Sequence, residues 1–127
     1  MNPSLLGAIC CALGVACGAF GTHALEDRLA STQIEWWSTA TDYLWYNGLG
    51  LLALGAHTHA QTPLFKVSRI LFIGLVMFCG SLYVYAITGY RFFGMITPIG
   101  GMMLLVAWTR ACWYFATQKD SKTREEH

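Results

Sequence analysis

The sequence predicts an all-α integral membrane protein, a four-helix bundle, on three observations. Only 12% of its 127 residues are charged and 55% are hydrophobic, whereas an ordinary soluble domain is about a quarter charged. The few charges leave four long gaps. Between Ser4 and Leu25 the only Asp, Glu, Lys, Arg or His is His23, and from Tyr43 to Phe65 only His57 and His59 interrupt; nothing does from Ile70 to Tyr90 or from Phe92 to Thr109. Each gap is about 18 to 23 residues, roughly 27 to 35 Å as helix, which matches a hydrocarbon core about 30 Å thick. The third observation is that no polar partner for the backbone exists in lipid, so spans of this length satisfy their N–H and C=O groups internally as helices. A net charge of +1 offers no basic surface for nucleic acid.

The expected layout is a single membrane domain over 1–118, with spans at about 4–25, 43–62, 70–88 and 94–116, followed by a polar tail over 119–127. Span one is read as retained, because Met1-Asn2-Pro3-Ser4 lacks the positive start of a signal peptide and no cleavage site follows. It carries Gly14-Val15-Ala16-Cys17-Gly18, a GxxxG surface that lets backbones approach closely. With Gly21, Gly80, Gly100 and Gly101 it is read as internal helix packing first and as a homodimer face second. The five cysteines, Cys10, Cys11, Cys17, Cys79 and Cys112, all fall within the spans and act as small apolar side chains.

The polar segment after span one has capping-box spacing at Thr32-Gln33-Ile34-Glu35. A helix running from Gln33 through span two, partly outside the membrane, follows from it. Trp36, Trp37, Tyr43, Trp45 and Tyr46 crowd its outer end as an interfacial belt, with a headgroup-binding cage as the alternative. His57 and His59 lie two apart, on nearly opposite helix faces, and do not make a metal pair. Thr88 to Gly94 is short enough to force an antiparallel hairpin between spans three and four. Within Ile96-Thr97-Pro98-Ile99 the helix either kinks at Pro98 or starts there with Thr97 as N-cap. Lys66, Arg69, Arg110, Lys119, Lys122 and Arg124 fall on one side and only Arg28 and Arg91 on the other, which puts both termini in the cytoplasm. Lys119, Lys122 and Arg124 are positioned to touch anionic lipid.

The candidate site residues are His23, Asp42, Tyr43, Asn47, Ser81, Tyr83 and Thr97, all of which fall in the outer half of the bundle. They are expected to form either an interhelical hydrogen-bond cluster or a small polar cavity opening outward. Asn47 lies about 7 Å inward of Asp42 along the helix, so its amide is expected to point into the bundle toward His23, Ser81, Tyr83 or Thr97.

Four ordered motifs then carry a resemblance. Gly18-Ala19-Phe20-Gly21-Thr22-His23-Ala24-Leu25, Trp37-Ser38-Thr39-Ala40-Thr41-Asp42-Tyr43, Gly80-Ser81-Leu82-Tyr83 with Ala86-Ile87-Thr88-Gly89, and Ile96-Thr97-Pro98-Ile99-Gly100-Gly101 resemble the YgdD-like family. That is a domain-of-unknown-function group of small bacterial inner-membrane proteins with a eukaryotic small transmembrane relative. The resemblance covers Gly14 to Trp108 and implies four spans and the bacterial inner membrane; no activity comes with it. Where the family tends to have Tyr-Gln-x-x-His, this chain reads Tyr43-Leu44-Trp45-Tyr46-Asn47, so no role that needs that glutamine or histidine is expected.

Three classes of function are ordered by these residues. A non-enzymatic scaffold or accessory subunit acting through helix contacts comes first, and a binder or carrier of a small amphiphile or solute second. An enzyme comes last, since no paired carboxylates, activated nucleophile or metal set shares one depth. No cofactor and no metal are expected. The expected partners are the lipid bilayer and either further copies of the chain or a larger membrane complex.

Overall fold

The computed structural model describes residues 1–126, and its elements are all helical. Helix α1 (Pro3–Phe20) is capped by the Asn2 side chain, which accepts from the Leu5 N–H at 3.2 Å, with Pro3 in the first turn. It runs into a wider π turn at Gly21–Leu25. Helix α2 (Ser31–Ala56) starts earlier than the Thr32 box implied. Only the returning half of such a box forms there: the Gln33 side chain accepts from the Ala30 N–H at 3.0 Å. Helix α3 spans Pro63–Thr88 and stops at Gly89, whose φ of 70° is the left-handed conformation that a glycine adopts without a Cβ clash.

Helix α4 (Arg91–Glu125) begins about two turns before Pro98, so Thr97 is not its N-cap. Pro98 sits inside the helix, where its missing N–H leaves the Gly94 carbonyl without its usual partner. The expected tail continues α4 as helix to Glu125; the side chains of Lys119, Asp120 and Ser121 and all of His127 lie outside the described residues. Among the described residues three helices are long and apolar enough to cross a membrane: α1 with its π turn, α3 and α4, with mean hydropathies of 2.0, 2.3 and 1.6. Helix α2 carries Glu35 and Asp42 in its first turns and is about 39 Å long.

Successive helices pair in order, α1 on α2, α2 on α3 and α3 on α4. Among the described residues α1 and α4 do not meet. The core therefore sits along α2 and α3: Leu51, Leu64, Leu71, Leu75 and Ala40 are fully buried, with Leu104, Ala107 and Ala111 closing it from α4. Glycines set the closest approaches. A Cβ on Gly7 would lie 2.5 Å from the Leu52 nitrogen and 2.6 Å from the Gly48 oxygen, and one on Gly100 would lie 2.5 Å from the Phe78 nitrogen. Gly14 and Gly21 are instead seats for the indoles of Trp45 and Trp37. Gly18 and Gly101 make ordinary contacts at 3.6 Å, while Gly80, expected to pack, faces open space.

Candidate functional site

Call the end of the bundle bearing Glu26, Asp27, Glu35 and Asp42 the acidic end. There α2 turns Trp37, Ala40, Thr41 and Leu44 inward at helical spacing, which buries them against α1 and α3. Trp37, 8% exposed, donates from Nε1 to the Cys17 carbonyl at 2.8 Å and meets Tyr83 edge-on with ring centroids 4.5 Å apart. It is thus not part of an interfacial belt. Trp36 also turns to the protein, stacked on Tyr85 at 3.9 Å, whereas Tyr43 and Tyr46 keep 41% and 66% of their surface exposed.

Hydrogen-bond arithmetic fixes one donor. Thr41 gives its single proton to the Trp37 carbonyl at 2.9 Å, so across the 2.9 Å contact between Thr41 and Tyr83 the phenol donates. Ser81 and Thr97 each lie near a carbonyl of their own helix, Phe78 at 3.0 Å and Phe93 at 3.4 Å, and one of the two hydroxyls gives its proton to the other across a 2.7 Å contact. Asn47 is buried, as its polarity requires. Its Nδ2 donates to the Tyr43 carbonyl at 2.9 Å and its Oδ1 accepts from the Trp108 indole at 2.8 Å.

The residues expected to form one cluster therefore divide into separate pairs: Tyr83 with Thr41 between α2 and α3, Ser81 with Thr97 between α3 and α4, and Asn47 with Trp108 between α2 and α4. None of the expected partners reaches Asn47. His23 is exposed in the π turn, and Tyr43 lies against Phe78 at 4.4 Å on the outer face of α2. Asn47→Leu is expected to cost about 1 kcal/mol, because the Trp108 N–H loses its acceptor. Asn47→His should cost less, since an imidazole nitrogen can accept in its place. Thermal unfolding in detergent micelles checks this order, and equal losses would contradict it.

What the acidic end holds is a cleft of about 260 Å³ between the π turn and α2, lined by Thr22, Glu26, Trp37, Ser38, Thr41 and Asp42 among others. The π turn opens it: Thr22 folds back onto the Gly18 carbonyl at 3.0 Å, and such one-turn widenings recur at functional sites. The cleft offers carboxylate and hydroxyl groups over an indole floor, an arrangement that can receive a small cation or a hydrogen-bond donor. Of the expected residues only Asp42 lines it, with Tyr83 behind it through Thr41. Glu26, Thr41 and Trp108 were not among the candidates, and Trp37 was expected only in the interfacial belt or its headgroup cage. The i, i+4 spacing of Trp37 and Thr41 inside the second motif was the available signal.

A family profile described as a protein of unknown function (DUF423) matches residues 17–101. The chain is 44% identical over 105 residues to a UPF0382 membrane protein of Staphylococcus saprophyticus, covering 82% of this chain and 88% of that one. It is 35% identical over 107 residues to the UPF0382 membrane protein YwdK of Bacillus subtilis, covering 82% and 87%. No solved structure matches the chain.

Proposed function

Since the chain belongs to the DUF423 family of small membrane proteins of unknown function, we propose that it is a non-enzymatic scaffold or accessory subunit of the bacterial inner membrane. In this reading it crosses the bilayer four times, α2 included, and acts through helix contacts with other copies or a larger complex. The observation that carries it is the open bundle: α1 packs mainly on α2 and α4 mainly on α3, and among the described residues the backbones of α1 and α4 do not approach each other. Leu5, Ile9 and Leu13 on α1 and Met95, Ile99 and Met102 on α4, all exposed, form ridges at i, i+3 and i+4 spacing on these free faces. Ridges of this kind pack into the grooves of another helix.

Photo-crosslinking residues placed at Leu13 and Met102 in native membranes test the reading. A discrete protein adduct, whether the chain itself or another subunit, is expected at one face or both. Adducts to lipid alone at both positions would overturn it. A second reading, a binder of a small cationic solute or amphiphile, is favoured by the cleft of Glu26 and Asp42 over Trp37. Under it a small molecule should co-purify with the protein and be lost on Asp42→Asn while the crosslinks are unchanged.

A further inference from the structure

The opposite end of the bundle holds a different feature. A cavity of about 550 Å³ opens between the first turns of α3 and the second half of α4. Lys66 from α3 and Arg110 from α4 both line it, beside Gln61 and Thr62. Among the described residues neither cation has a carboxylate partner. Two long cationic side chains on different helices repel each other when they share a mouth without a counter-charge. The positive end of the α3 dipole, starting at Pro63, faces the same space.

The walls narrow what anion fits. The Thr62 hydroxyl already donates to the His59 carbonyl at 2.8 Å and the Thr117 hydroxyl to carbonyls of its own helix, while the Tyr114 oxygen accepts from Gln118 and keeps its proton. The donors left for a ligand are therefore the ammonium, the guanidinium, the Gln61 amide, the Tyr114 hydroxyl and the Trp113 indole N–H. That set suits a tetrahedral oxyanion, which a guanidinium grips with two parallel bonds and an ammonium meets as a point charge. The other wall is Trp113, 75% exposed, and Tyr114, amphipathic rings of the kind that sit at headgroup depth. Beyond them the same side of α4 is apolar, with Val106 exposed one turn before Arg110. A free anion has no use for that apolar wall, but an acyl chain does.

We propose that this cavity binds the phosphate of an anionic phospholipid, held by Lys66 and Arg110 with its acyl chains along α4. The test is native mass spectrometry of the detergent-purified full chain, titrated with phosphatidylglycerol or phosphatidylcholine. One phosphatidylglycerol is expected to bind in preference to phosphatidylcholine. Lys66→Gln with Arg110→Gln should weaken it about thirty-fold, at the usual contribution of each basic residue near an anionic surface. The charge-keeping pair Lys66→Arg with Arg110→Lys should stay within about threefold of the parent, and Arg91→Gln, at the opposite end of the bundle, should leave binding unchanged. Equal affinity for the two lipids would overturn the proposal without any variant being needed. So would an equal loss in Arg91→Gln, which would mean diffuse attraction, or displacement of the lipid by millimolar inorganic phosphate, which would assign the cavity to the free anion.

Discussion

Trp37→Ala is expected to destabilise the bundle by about 3 kcal/mol, the lower end of what truncating a buried indole costs. The indole occupies the junction of three helices: it sits on Gly21, meets Tyr83 edge-on and ties α2 to α1 through the Cys17 carbonyl at 2.8 Å. Truncation leaves that carbonyl with only the Gly21 N–H, removes the ring against Tyr83 and merges the void with the existing cleft of about 260 Å³. Water entering from the cleft offsets part of the loss, which is why the lower end is expected. Trp37→Phe keeps a ring over Gly21 but has no N–H, so it should lose about 1 kcal/mol. Denaturant unfolding in micelles resolves the two. A Trp37→Ala protein within 1 kcal/mol of the parent would show that the junction does not hold α1 in place.

The sequence disclosed helix positions better than helix ends, and for a physical reason. Uncharged gaps report depth in lipid rather than helicity. Lys66 and Arg69 precede the gap that was read as span three, yet they sit in the opening turns of a helix that begins at Pro63. The same holds for Lys122 and Arg124 in the last turn of α4. Pro98 was undecidable from sequence, because a proline that ends a soluble helix is tolerated in a membrane helix whose neighbours compensate for it.

The candidate site was legible in its residue types and not in its pairings. Asn47 and Trp108 are 61 positions apart on helices whose backbones do not approach each other, so no motif or loop length could join them; only the rotation of α2 and α4 about α3 does. Trp37 looked interfacial because tryptophan at the polar end of a span usually is, but Gly21 provides the space that draws it inward. The glycines repeat the lesson. Gly80 sits in a motif and packs on nothing within 4 Å, whereas Gly74, outside the motifs, would place a Cβ 2.8 Å from that of Met103.

That contrast makes Gly100→Ala the sharpest test of how α3 and α4 are joined. The added methyl would meet the Phe78 nitrogen at 2.5 Å and its Cα at 2.8 Å, backbone atoms that cannot rotate away as a side chain can. Relief requires the two helices to separate, which loosens contacts along the whole hairpin and should cost about 2 to 3 kcal/mol. Gly7→Ala should act alike on α1 and α2, where the obstructing atoms are the Leu52 nitrogen and the Gly48 oxygen. The control lies one residue away: Gly101→Ala meets only the Phe78 ring at 3.6 Å, an ordinary contact, and should stay within about 0.5 kcal/mol of the parent. Gly80→Ala, which enters open space, should be neutral or slightly stabilising, since alanine favours helix over glycine. Unfolding of the four single variants under identical micelle conditions separates close approach from any general effect of replacing glycine. If Gly101→Ala falls as far as Gly100→Ala, the close approach of α4 to Phe78 is not what holds this hairpin.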